Sequence, residues 1–187
     1  MAGISRTGWL VAGTLVALLA AILVGMGRPP ICPCGTVSVW HGIVQSNQNS
    51  QQMSDWYSFS HVIHGFIFYA VLRWILPHRP LWVSLAIAIG VEGAWEILEN
   101  SPIIIDRYRE VTMAFGYSGD SVLNSISDTL FMVLGFVAAS RMRWRVTVML
   151  AIAFELFTLW AIRDNLTLNV LMLVSPVEAV KEWQAGA

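Results

Sequence analysis

The chain has 187 residues, of which 56% are hydrophobic and only 12% charged, with nine Trp and a formal net charge of -1. A mean hydropathy of +0.63 excludes an ordinary soluble domain and marks an integral membrane protein whose first partner is the lipid bilayer. The charge offers no basic surface, and no zinc-finger, RNA-binding or phosphate-loop pattern occurs, so nucleic acid is excluded as a partner.

The chain predicts an all-α, polytopic membrane helix bundle of about five transmembrane helices in a single integral membrane domain, 1–187. Segment one covers about 9–26, with Arg6 just before it. A cleaved signal peptide is the weaker alternative, because GMGRPP lacks an A-x-A-like exit and no lipobox precedes Cys32. A polar outer loop, 27–56, holds Cys32-Pro33-Cys34, Trp40-His41 and the amide-rich run SNQNSQQ. Two cysteines are too few for a disulfide framework, and an intrachain bridge across two positions is strained; a bridge to a partner is the other possibility, and a metal-ligand role the weaker reading. Segment two covers about 57–76, Pro77-His78-Arg79-Pro80 turns the chain, and segment three returns over about 81–100. The outer loop 101–119 carries Asp106, Arg107, Arg109 and Glu110. Segment four, about 120–142, ends at Arg141, Arg143 and Arg145, and segment five, about 146–166, leads into a tail, 167–187, that suits an interfacial helix.

The acid-free turns carrying Arg73, Arg79, Arg141, Arg143 and Arg145, with Arg6, predict a cytoplasmic amino terminus. The raw bias against Arg28, Arg107, Arg109, Arg163 and Lys181 outside is slight. Five crossings of the bacterial inner membrane then leave the carboxyl terminus and the Cys-Pro-Cys loop in the periplasm.

Glu92, Glu96 and Glu99 recur at i, i+4, i+7 and share one stripe of segment three. An ionisable group at that depth costs on the order of 2.5 to 3.5 kcal/mol on insertion scales, so it persists where it pairs with something. His61 and His64, at i, i+3, lie within about 60° on the outer half of segment two. Asp120, Asn124 and Asp128 form a further stripe whose ends lie about 12 Å apart along segment four. Glu155, in the middle of segment five, is expected to close the set. Interfacial anchoring accounts for two His at a helix start, and helix capping for Glu99, Asn100 and Asp120. Glu92, Glu96, Asp128 and Glu155 lie too deep for those roles.

His64-Gly-Phe-Ile-Phe-Tyr69, the Glu92–Glu96 stripe and Asp120-Ser-Val-Leu-Asn124 resemble the VanZ-like membrane proteins, from which the chain departs in His61, in the His-to-Tyr spacing, in Glu99 and in Ser127. Through WHG, DWYSFSHVIHG, WEILENSPIIIDRYRE and GYSGDSVLNSISD, the whole chain looks most like a family of uncharacterised multi-pass bacterial membrane proteins. That resemblance implies an inner-membrane location and a shared polar core, and names no reaction.

Three functions fit this pattern. The first is binding or maintenance of an envelope component, with the polar groups as an internal network. The second is a membrane-embedded enzyme acting on a lipid-linked substrate. There His61, His64, Glu96 and Asp120 ligate a divalent metal, and Glu92 or Asp128 is the acid/base. The third is an ion- or proton-coupled carrier titrating Glu92, Asp128 and Glu155 in turn, for which five helices without repeat symmetry are a poor match. Oligomeric state is not legible.

Overall fold

A computed structural model describes residues 4–112 and 116–186. Within these residues the chain forms eight helices and no strand: α1 (Arg6–Gly25), α2 (Ser58–Ile75), α3 (Leu81–Glu99), α4 (Pro102–Val111), α5 (Val122–Ala139), α6 (Trp144–Ile162), α7 (Leu166–Val174) and α8 (Glu178–Ala185). Four of them, α1, α3, α5 and α6, are long and apolar enough to cross a membrane. The expected all-α polytopic bundle is the fold. The remaining long helix, α2, has 18 residues, but Ser58, Ser60, His61, His64 and Arg73 lower its hydropathy, and its polar start is buried inside the bundle.

Local chemistry sets the helix ends. Ser5 accepts from Gly8 N at 3.1 Å, Ser121 from Asn124 N at 3.1 Å and Asn165 from Leu168 N at 2.8 Å, which satisfies first-turn amides of α1, α5 and α7. The α2–α3 turn is held by Arg73, whose guanidinium donates to Arg79 O at 2.8 Å and Pro77 O at 2.7 Å.

Helix directions follow from which residues meet. Gly8 lies against Trp82 and Gly93 against Leu19, so α1 and α3 ascend together. Ser58 and His61 meet Asp128, Gly65 meets Gly135, and Tyr69 meets Phe136, so α2 and α5 also run the same way. The core at the far end is Ala12, Leu85, Ala88, Ile89, Met132, Val133 and Phe136. The turns bearing Arg79, Arg141 and Arg143 therefore lie at one end of the bundle, and Ser58, Glu99 and Val122 at the other. Thr158 is the one buried residue of α6, which leaves most of that helix facing outward; it touches α2 through Phe59–Phe154, 5.2 Å between ring centroids.

The segments expected as loop 101–119 and tail 167–187 are more regular than the sequence predicts. Where a loop over 101–119 is expected, α4 forms, with Pro102 in its first turn and Ile105, Tyr108 and Val111 buried at a three-residue spacing. The tail folds into α7 and α8. These are tied down by Tyr108 Oη donating to Asn169 at 3.0 Å, Arg107 to Leu173 O at 3.1 Å and Lys181 to Glu110 O at 2.7 Å. Cys32 and Cys34 are bonded to each other, against the sequence expectation, with Cα atoms 5.1 Å apart. Gly35, at φ 78°, turns the chain back so that its N–H donates to Cys32 O at 3.0 Å, which brings the two residues within reach.

Candidate functional site

The site is built on a close crossing of α2 and α5. A Cβ at Gly65 would stand 2.1 Å from Met132 O, and one at Gly135 2.2 Å from Val62 O, so α2 and α5 meet backbone to backbone. That approach carries His61, one turn before Gly65, against Asp128, two turns before Gly135. Ser58 Oγ donates to Asp128 Oδ1 at 3.4 Å, and His61 Nε2 lies 3.7 Å from Asp128 Oδ2.

From the other side α3 delivers its carboxylates. Glu92, fully buried, takes Nδ1 of His61 at 2.6 Å on Oε1 and Nδ1 of His64 at 3.1 Å on both oxygens. One turn on, Glu96 is also fully buried, with His61 Nδ1 3.9 Å from Oε1, yet neither carboxylate oxygen accepts a hydrogen bond.

Nearer the helix ends Asn100 organises the polar groups. Its Nδ2 donates to Glu96 O at 3.0 Å and Asp120 Oδ2 at 3.0 Å, and its Oδ1 accepts from Asp120 N at 2.7 Å. Tyr117 Oη donates to Asp120 Oδ1 at 2.8 Å. Asp120 precedes α5, and burial, the strongest influence on it, pushes its carboxyl up to about 6 against the bonds from Tyr117 and Asn100. The loop before α2 closes over this end: Gln51 Nε2 donates to Gly119 O at 2.7 Å and Asn124 Nδ2 to Gln52 O at 2.9 Å, while Arg28 reaches Asp120 O at 3.0 Å.

Several of these groups line a cavity of about 310 Å³. His61, His64, Glu92, Glu99, Asp120, Asn124 and Asp128 line it, with Tyr57, Tyr108 and Tyr117 around the polar part and Phe68, Val91 and Trp95 forming an apolar wall between α2 and α3. Three sets of side chains bring ligand-capable atoms within 4.8 Å of one another: His61, His64 and Glu92; His61, Glu96 and Asp128; and Glu96, Glu99 and Asp120.

The structure thus brings together most of the residues picked out in the sequence but groups them differently. The expected ligand set of His61, His64, Glu96 and Asp120 does not form one group: His64 belongs with Glu92, and Asp120 with Glu96 and Glu99. Asn124 lines the cavity, but its amide is committed to the loop. Glu155 lies elsewhere, contrary to expectation. Its carboxylate accepts from Leu166 N at 3.0 Å and from Thr167 N at 3.1 Å, so it caps α7 instead of closing the cluster. Sequence reasoning missed Ser58, Tyr108 and Tyr117, which carry no deep-charge signal; a hydroxyl at a helix start or in a loop is unremarkable until the fold aims it.

The family model described as a protein of unknown function (DUF2585) matches residues 23–186. The chain is 86% identical to a UPF0314 protein of Sphingopyxis alaskensis over 184 residues, 98% of each chain. It is 61% identical to one of Novosphingobium aromaticivorans over 187 residues, covering 97% of this chain and 94% of that one. A UPF0314 protein of Paracoccus denitrificans is 56% identical over 173 residues, 92% of this chain and 90% of the relative. No solved structure matches the chain. With its family match running from the end of α1 to α8, the chain belongs to the DUF2585 family, and it is similar over nearly its whole length to the UPF0314 proteins.

Proposed function

We propose that the protein lies in the bacterial inner membrane, with its amino terminus in the cytoplasm and its carboxyl terminus in the periplasm. Its cavity receives the polar head of an amphiphilic envelope component from the periplasmic leaflet. The observation that carries this reading is the make-up of the cavity: a His/carboxylate wall stands beside an apolar wall of Phe68, Val91 and Trp95, where Val91 is half exposed. A site with polar groups on one wall and apolar side chains on the other suits the head group and first chain carbons of a lipid or lipid-linked molecule. The placement of the arginine-bearing turns at the opposite end, and of the Cys32–Cys34 bridge beside the closing loop, supports this orientation.

A second reading, a membrane-embedded enzyme acting on a lipid-linked substrate, is favoured by one feature. His61 is held by Glu92 through Nδ1 and turns Nε2 toward Asp128 beside the cavity, which is the arrangement of an oriented acid/base.

Binding is tested by extracting the full chain with its surrounding lipid, purifying it and identifying the amphiphiles that stay bound. Wild type should retain one polar-headed amphiphile enriched above bulk phospholipid. Val91→Trp, which fills the apolar wall, should lose at least about tenfold of that enrichment, and Ile87→Trp, outside the cavity, should keep it. An unenriched wild type, or a Val91→Trp profile equal to wild type, would overturn the proposal.

A further inference from the structure

Among the described residues Glu96 is the only acid whose buried carboxylate oxygens accept no hydrogen bond, and its exposure is 0%. A buried carboxylate left in that state costs several kcal/mol, so such a group is kept where something neutralises or ligates it. Its surroundings supply no fixed cation. Glu92, Glu96, Glu99, Asp120 and Asp128 cluster together, and among the described residues none of the five forms a salt bridge with a Lys or Arg. Arg28 spends its guanidinium on the carbonyls of Asp120 and Ser118.

Glu96 also belongs to two ligand-capable groups at once. Donor atoms of His61, Glu96 and Asp128 lie within 4.8 Å of one another, as do those of Glu96, Glu99 and Asp120. Donors about 2.1 Å from an octahedral ion stand roughly 3 to 4.2 Å apart, so each group is near the span that one ion requires. The outer ring of partners is already in place. Glu92 takes His61 Nδ1 at 2.6 Å, which fixes the ring and leaves Nε2 on the side of Asp128. Tyr117 and Asn100 hold Asp120 at 2.8 and 3.0 Å. A carboxylate on the far nitrogen of a ligating imidazole, and hydrogen bonds on a ligating carboxylate, are the devices that orient metal ligands.

We propose that Glu96 bridges two divalent cations, with His61 and Asp128 completing one position and Glu99 and Asp120 the other. The first position has mixed nitrogen and oxygen donors and the second only oxygen, a set suited to Mn²⁺-like hard or borderline ions. One carboxylate common to both places the ions about 3.5 to 4 Å apart. This inference stands apart from the amphiphile reading: the cations can bind whether or not a lipid does.

The test uses the full-length protein in detergent, stripped with a chelator and titrated with Mn²⁺, with electron paramagnetic resonance as the readout. Wild type should bind two Mn²⁺ per chain with an exchange-coupled spectrum. Glu96→Gln should lose the coupling and at least one ion. Asp120→Asn and Asp128→Asn, each altering one position only, should bind one Mn²⁺ with an uncoupled six-line signal, and they decide the matter if Glu96→Gln does not fold. Wild type binding one Mn²⁺ or none, two uncoupled ions in wild type, or a coupled pair that survives Glu96→Gln would overturn the proposal.

Discussion

Nδ1 of His61 lies 2.6 Å from Oε1 of Glu92, and the same fully buried carboxylate also takes Nδ1 of His64 at 3.1 Å. One acid on α3 thereby orients two imidazoles on α2. Replacing Glu92 by Gln should destabilise the protein by about 1 to 3 kcal/mol, because an amide cannot accept from both rings with both of its polar atoms. In a double-mutant cycle of Glu92→Gln with His61→Gln, read by thermal unfolding in detergent, the pair should show a coupling of about 0.5 to 3 kcal/mol. Strict additivity would mean that the two side chains do not hold each other.

The α2–α5 crossing should be intolerant of a single methyl. At Gly65 an added Cβ would meet the backbone of α5 at Met132 O, 2.1 Å away, whereas at Gly90 it would meet nothing within 4 Å. Gly65→Ala is expected to cost about 1 to 3 kcal/mol or more through overpacking, with reduced folded yield, while Gly90→Ala behaves as wild type. Size-exclusion profiles and melting curves of the two variants provide the comparison.

Asp164 gives a pH signature outside the membrane-spanning helices. Burial, the largest influence, raises its carboxyl from the ordinary value of 3.8 to about 6, although Asn165 N, Tyr57 Oη and Gln184 Nε2 all donate to it. Between those two values the folded chain holds a proton that the unfolded chain has released. This group's contribution to stability is therefore complete below about 4 and is lost as pH rises through about 6. In Asp164→Asn the amide oxygen can keep the bonds from Asn165 and Gln184, and the amide nitrogen can donate to Tyr57. The melting temperature of the variant relative to wild type should accordingly climb across this range and level off above it. A difference that does not change with pH would contradict the assignment.

Much of this architecture is written in local sequence. Apolar runs of helical length define α1, α3, α5 and α6, and acids recurring at helical spacing mark Glu92, Glu96 and Asp128 because charge inside an apolar run is costly wherever it occurs. What is not legible depends on partners distant in sequence. Glu155 reads as a deep acid like the others, but α7 returns its own start to that carboxylate, a contact fixed only by the fold. The charges of α4 hide a narrow buried stripe of Ile105, Tyr108 and Val111, too short for periodicity to stand out. The division of ligands is equally remote: only the crossing at Gly65 and Gly135 determines that His61 faces Asp128 while His64 turns to Glu92.

The proposed orientation predicts opposite behaviour for two exposed positions. A periplasm-dependent reporter joined after His78, in the turn organised by Arg73, should be inactive, and one inserted at Asn47, in the loop that closes the cavity, should be active. Activity at His78 would invert the topology and place the cavity in the cytoplasmic leaflet.

The cavity itself can be interrogated in living cells with a photoreactive amino acid at Phe68, whose ring stacks on His64 at 5.8 Å between centroids and lines the apolar wall. Trp74, on the same helix and 82% exposed, serves as the lipid-facing reference. Mass spectrometry of the irradiated protein should show one discrete amphiphile attached at position 68 and a spread of bulk phospholipids at position 74. The same phospholipid spread at both positions, or no adduct at position 68, would contradict a ligand-binding cavity.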